Sequence, residues 1–216
     1  MTHLVVGLGN PGPDYARTRH NVGFHVVERV AAEKGLLFRS ASSLNGYDGS
    51  KACEVAATPS GDAVLVKPTT FMNRSGQVVG PLARHLLGHD ASPAPGDGEP
   101  KTVAPVPNLL VVVDDLDLPL GRLRIRPRGG SGGQNGMRSI IEHLGTDGFP
   151  RLRVGIGHPG TDAARHVLTP FSDKEQVDID ISVVEASEAI LAWLDSGDLD
   201  EVMTRFHSRW NQDDSA

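Results

Sequence analysis

The segment NLLVVVDD at residues 108–115 constrains the fold more than any other part of the chain. It sets an unbroken apolar run, rich in Val, directly before two acids. Such a run reads as a strand covered on both faces, at the centre of a sheet. Other short β-rich runs surround it: LVVG (4–7), KACEVAA (51–57), AVLVKP (63–68), LRIRP (123–127) and RLRVGIG (151–157), each bounded by Gly, Pro, Asp or Ser. Helices are expected at 20–34, 75–88, 134–144 and 173–194, with a short last one near 198–207. On the fourth, Val177, Ile181, Val184, Leu191 and Leu194 fall on steps of three, four or seven and predict one buried stripe. Strands alternating with helices predict an α/β fold with a mixed sheet.

With 216 residues the chain fits one domain, expected over 1–207 and followed by a frayed acidic tail at 208–216. The segment GHDASPAPGDGEPKTVAPVP, residues 88–107, is rich in Pro, Gly, Ser and Asp. It reads as a flexible insertion rather than a linker, because what precedes it lacks the central strand of the sheet. The chain carries 21 Lys plus Arg against 27 Asp plus Glu, a net charge of -6, which argues against a general nucleic-acid or membrane binder. Any such role must be local. The lone Cys53 cannot form an internal disulfide and reads as a strand filler in a reducing compartment. LVVG is too short, and lacks the flanks, for a signal peptide, so a cytoplasmic protein is expected.

Ligands in open α/β sheets sit beyond the carboxyl ends of the strands. Four polar stretches follow strands here: GLGNPG, PTTFMN, DDLDLP and GGSGGQNG. The first spells G-x-G-x-x-G, yet Pro11 and Pro13 follow where a dinucleotide site needs a helix N-terminus, and no acid caps the next extended run. No cofactor is expected; the glycines and prolines read as a stiff turn that holds Asn10. His20 lies ten residues later, near the start of the first helix, and Asp114, Asp115 and Asp117 supply acids that could orient it as a base. The same acids could ligate a metal, but no H-x-x-x-H or H-E-x-x-H spacing accompanies them, and no metal is expected.

GGSGGQNG leaves two readings open. Gly129, Ser131 and Gly133 match the G-x-S-x-G of a nucleophile elbow, which would need Asp147 or Asp162 with His158, His166 or His207 downstream. The other reading is an anion cradle of backbone N–H groups. Its surroundings favour the cradle: Arg122, Arg124, Arg126, Arg128, Arg138, Arg151 and Arg153 face only Glu142 and Asp147 in that stretch. Arg122, Arg124, Arg126 and Arg128 share one face of a strand, either a solvated face or a track for a phosphate backbone. Phe71 and Met72 offer a stacking or apolar surface, or are core residues.

At this point the sequence resembles one family, the bacterial-type peptidyl-tRNA hydrolases. The resemblance rests on GLGNPGPDYARTRHNVGF, KPTTFMNRSG, DDLDLPLGRLRIRPRGGSGGQNGMRSI and RLRVGIGHPG, in that order within residues 4–160. It implies a monomeric, cytoplasmic α/β domain on a mixed twisted sheet flanked by helices. It implies hydrolysis of the ester joining peptide to tRNA by a His-activated water, with no metal or covalent intermediate, in translation and ribosome rescue. The implied partner is peptidyl-tRNA, met at its 3′ end and acceptor stem, with neither DNA nor membrane. On matching positions the resemblance makes His20 the base and Asp114 its partner, with Asn10 in the catalytic set. Asn73 and Asn135 become polar contacts, Tyr15, Phe71 and Met72 contacts to the tRNA end and peptide, and Arg126 and Arg153 basic contacts to tRNA. The chain departs from the family's pattern at Gln134, where relatives have His, and at Pro81, which should kink its helix or delay its start. A relative that binds RNA without cleaving it and a hydrolase that uses Ser131 are the remaining alternatives.

Overall fold

The computed structural model describes residues 1–49, 52–89, 103–158, 160 and 162–211. In chain order its elements are β1 (His3–Gly7), α1 (Val22–Glu33), β2 (Arg39–Ser40), β3 (Cys53–Ala57), β4 (Ala63–Pro68), α2 (Gly76–Leu87), β5 (Leu109–Asp115), β6 (Leu123–Arg126), α3 (Asn135–Leu144), β7 (Arg151–Gly155), α4 (Ala163–Val167), α5 (Asp173–Ser196) and α6 (Leu199–Asn211). The strands form one mixed sheet in the order β2-β3-β4-β1-β5-β7-β6. Neighbours within β4-β1-β5-β7 pair parallel, while β2 with β3, β3 with β4, and β6 with β7 pair antiparallel.

β5 is buried along its whole length, as its unbroken apolar run requires. Leu110 and Val112 face a core shared with α1, α5 and α6, whereas Leu109, Val111 and Val113 face one shared with α2 and α3. The sheet thus carries helices on both faces. No helix among the described residues is long and apolar enough to cross a membrane. The short β2 lies within the extended run LLFRSASS, whereas α4 has no signal in the sequence pattern.

The buried face of α5 differs from the expected stripe. Val177 and Ile181 are 61% and 55% exposed, Leu191 and Leu194 pack half-buried against the core, and the buried residues are Ile179, Ser182, Ala186, Ser187, Ala189, Ile190 and Trp193. Small residues let α5 lie close against α1, and Ser182 Oγ donates to the Gly121 carbonyl. Hydropathy ranks Val and Ile above Ser and Ala, so in the first half of this helix it selects Val177 and Ile181 over the buried Ser182. Pro81 does not delay the helix: α2 starts at Gly76 and runs through it. The start is held from outside, by the Gly76 N–H donating to Ser139 Oγ and by contact so close that a Cβ at 76 would lie 2.1 Å from the Ser139 carbonyl oxygen.

The glycines of GLGNPG also divide by role. A Cβ on Gly7 would lie 2.2 Å from the Gly23 carbonyl oxygen, and one on Gly23 would lie 2.6 Å from the Leu8 main chain, so α1 presses on the end of β1. Gly12 alone of the three has a positive φ, 103°. The pattern expected to serve a turn mainly serves helix–strand contact. Of the expected insertion, residues 90–102 lie outside the described residues; its far end is integrated, with Val106 in the core and its N–H donating to Gly148. α6 runs to Asn211, into the segment expected to fray, and residues 212–216 lie outside the described residues.

Candidate active site

Parallel order sets the carboxyl ends of β1, β4 and β5 side by side, and the turn at Arg19–Asn21 before α1 packs against β5. His20 Nδ1 lies 2.8 Å from Asp114 Oδ2, joining residues 94 apart in the chain. The side chains are 12% and 2% exposed. An ionised carboxylate only accepts, so this bond places the ring proton on Nδ1 and leaves the lone pair on Nε2. Asp114 Oδ1 accepts from Gln134 Nε2 at 3.1 Å, while Gln134 Oε1 caps α3 by accepting the Met137 N–H at 2.8 Å. The helix N–H can only donate, so the amide has one orientation and its NH₂ must face Asp114. Gln134 therefore supports Asp114 through its amide.

Asn10 is fixed from three directions. Its Oδ1 accepts the Met72 N–H at 2.8 Å, its main-chain N–H donates to Asn21 Oδ1, and its carbonyl accepts from Asn21 Nδ2, both at 2.9 Å. With Oδ1 committed, Asn10 presents its Nδ2 donor. Asn21 therefore ties the Asn10 turn to the His20 turn, a role that sequence reading missed. Its place at the start of α1 suggests a helix cap, yet the side chain makes no cap bond.

Arg19 straps the same turn to the start of α5. Its guanidinium donates to the carbonyls of Thr169 and Pro170 and, at 2.8 Å, to both carboxylate oxygens of Glu175. Glu175 also closes a capping box with Ser172. Burial pushes the Glu175 carboxyl up, but hydrogen bonds from Ser172 and the Arg19 guanidinium outweigh it and hold the group at about 2.

The glycine-rich loop reaches the site by an unexpected route. It was expected beyond a carboxyl end shared with the other strands, but β6 is antiparallel to β7, with Arg126 opposite Arg151 at the start of β7. The loop therefore leaves from the far edge and climbs back to bring Gln134 against Asp114. Along that path opens a cavity of about 870 Å³, lined among others by His20, Asp114, Arg126, Arg153, Asn135 and the 129–133 loop. Arg124 and Arg126 lie in register with Arg153 and Arg151 across the antiparallel pair. Each cation is offset separately: Arg124 and Arg126 are exposed, Arg153 Nε meets Asp115 Oδ2 at 2.6 Å, and Arg151 is buried among main-chain carbonyls. Burial raises the Asp115 carboxyl, against the Asp117 N–H and Arg153.

Other expected site residues lie beside the cavity rather than in its lining. Tyr15 and Phe71 make an edge-to-face pair with centroids 6.2 Å apart, and Phe71 is 54% exposed. Asn73 is exposed in the turn Met72–Arg74. Met72, expected as a ligand contact, is only 4% exposed and packs in the core, reaching the site through the N–H that holds Asn10. Ser131 lines the cavity, but it makes no hydrogen bond to a histidine among the described residues. His158 accepts from Gly160 N–H and His166 donates to the Ile156 carbonyl. Among the described residues no group of three His, Cys, Asp or Glu could hold a metal ion. Buried Cys53 has its thiol pushed up by burial to about 11.

Comparison with known proteins bears on the same residues. The sequence profile described as "Peptidyl-tRNA hydrolase" matches residues 4–92 and 99–214. Among curated relatives, the peptidyl-tRNA hydrolase of Moorella thermoacetica is 43% identical over 211 residues, covering 94% of this chain and 97% of its own. That of Akkermansia muciniphila is 40% identical over 196 residues, covering 90% of each. A crystal structure of peptidyl-tRNA hydrolase from Acinetobacter baumannii superposes with a TM-score of 0.77 at 34% identity, covering 95% of this chain and 94% of that one.

Proposed function

The chain belongs to the peptidyl-tRNA hydrolase family, and from that premise we propose that it cleaves the ester of peptidyl-tRNA with a water activated by His20, using neither metal nor covalent intermediate. The observation that carries this reading is the His20–Asp114–Gln134 chain, because it leaves a lone pair on Nε2 at the cavity wall. Nε2 takes a proton from water as the water oxygen bonds to the ester carbonyl carbon. The imidazolium, stabilised by Asp114, then returns that proton to the ribose oxygen as the carbon–oxygen bond breaks. The products are a free peptide carboxylate and tRNA, with the acid proton released to solvent. Base catalysis of this kind contributes roughly 10²- to 10⁴-fold.

The tetrahedral oxygen needs donors that do not repel phosphates. Asn10 Nδ2 is one; Asn135, first residue of α3, is another, since its Oδ1 is engaged by Arg138 at 3.4 Å. A donor aimed at such an oxyanion is worth about 3 kcal/mol. Asn73, Tyr15 and exposed Phe71 form the adjoining surface for the tRNA 3′ end and peptide, where an aromatic face stacks on a base. Met72 contributes by holding Asn10. Arg126 and Arg153 meet phosphates of the acceptor stem. In this reading the protein acts as a cytoplasmic monomer, clearing peptidyl-tRNA in ribosome rescue.

The test is peptide release from N-acetyl-aminoacyl-tRNA by the parent and by His20→Ala, with tRNA affinity measured in parallel. The expected outcome is nearly complete loss of release with tRNA affinity kept within about twofold, since the ring contacts the ester rather than the phosphates. Near-normal turnover by His20→Ala, or an intact substrate after long incubation with excess parent protein, would refute the mechanism; the second result would leave an RNA binder.

A further inference from the structure

Arg151 is a buried cation that the proposed chemistry does not use. It is 3% exposed, and its guanidinium donates to the carbonyls of Phe149 (3.2 Å), Asp147 (2.9 Å), Gly129 and Gly130 (3.2 Å). Its plane also lies over the Phe149 ring, 4.6 Å from the centroid. Burial draws its pKa down to about 10, against the field of Asp147 and with that of Arg153, so it stays charged at neutral pH. Burying a cation mainly against main-chain carbonyls is costly, and five forked donors are the feature that lysine cannot replace.

The loop it grips has little else to define its shape. Gly129, Gly130, Gly132 and Gly133 lack side chains, and Gly129, Gly132 and Gly133 have positive φ. Chain entropy therefore opposes any single conformation. In a trans peptide the C=O and the next N–H point in opposite directions, and the described residues include no cis bond. Drawing the carbonyls of Gly129 and Gly130 onto Arg151 thus turns the N–H groups of Gly130 and Ser131 to the opposite side. Neither N–H donates to an acceptor among the described residues. Both residues line the cavity that Arg126, Arg128 and Arg153 also line. Outward N–H groups beside several cations suit a phosphate oxygen.

We propose that Arg151 is a positioning residue for RNA binding: it holds the glycine-rich loop so that the N–H groups of Gly130 and Ser131 receive a phosphate oxygen next to Arg126 and Arg153. This rests on the tRNA-binding reading above and adds to it a residue at the cavity wall whose guanidinium is committed to main-chain carbonyls.

The experiment measures dissociation constants for deacylated tRNA, together with kcat and KM for peptide release, in the parent, Arg151→Lys and Ser131→Pro. Arg151→Lys keeps the charge but cannot span four carbonyls. It should weaken tRNA binding and raise KM by about tenfold, with kcat changed by less than about twofold. Ser131→Pro removes one N–H and leaves Arg151 in place; it should weaken binding by about three- to tenfold. Unchanged tRNA affinity in Arg151→Lys, or a fall in kcat without a change in affinity, overturns the proposal. If Arg151→Lys does not fold, unchanged affinity in Ser131→Pro overturns it alone. A parent that binds tRNA without releasing peptide defeats the hydrolase mechanism but not this inference; a parent that does not bind tRNA defeats both.

Discussion

Two parts of the cavity wall solve opposite problems. In the His20–Asp114–Gln134 chain Asp114 is buried and the other two are half-buried, and Asp114 and Gln134 are held by specific partners. The arginine slope formed by Arg126, Arg128 and Arg153 is partly exposed, and Asp115 engages only Arg153 among these three. Burial makes geometry decisive in the first, since removing one partner leaves a desolvated polar group. Exposure makes charge decisive in the second, where salt screens each contribution and the contributions add. Variants in the first should therefore act on kcat, and variants in the second on KM.

The sharpest way to break that contrast is Asp114→Asn. An amide there can no longer hold the His20 proton on Nδ1 as a carboxylate does, so kcat should fall by about 10³- to 10⁴-fold with KM little changed. A rise in KM with kcat intact, read from initial rates of peptide release, would erase the distinction. Gln134→Ala comes next. It removes a cap and a donor to Asp114 together, so kcat should drop by about tenfold and Tm by about 2–4 °C. If only Tm moves, Gln134 is a cap and no more.

Arg153→Ala should raise KM by about three- to tenfold and lower the slope of log KM against log salt by about one. The same loss at every ionic strength would show that Arg153 acts through structure rather than charge. The smallest effect concerns the strap beneath His20. Glu175 sits at about 2 when folded, below the ordinary carboxylate range, so its contribution is present above about pH 4.5 and is lost as pH falls through about 2. Glu175→Gln should lower Tm by about 2 °C at neutral pH, a gap that closes in acid. A constant gap down to pH 2 would mean that charge is not what Arg19 reads.

Much of this was legible in the residues. The unbroken apolar run of β5 demanded cover on both faces and received it. His20, Asp114 and Asn10 stood out because polar residues at strand ends have few structural duties, and three of the strand ends do converge. The stripe on α5 holds at Leu191 and Leu194 but fails at Val177 and Ile181, because burial there follows how closely two helices approach rather than hydropathy. Met72 stays open between surface and core at the level of sequence for a related reason: nothing in the string PTTFMN says which of two adjacent apolar side chains faces the core.

The sequence by itself determined the α/β class, the strand ends that carry polar chemistry and the local excess of arginine. These depend on composition and spacing along one segment at a time. Only the tertiary structure decided that β6 runs against β7, that the glycine loop must climb back to Asp114, and that Gln134 serves a helix cap and a carboxylate at once. It alone separated Arg151 from Arg153, two residues apart on one strand and both at the cavity wall, the first held by carbonyls and the second by Asp115. The physical reason is that burial and hydrogen-bond partners are set by segments distant in the chain, and no local pattern carries that information.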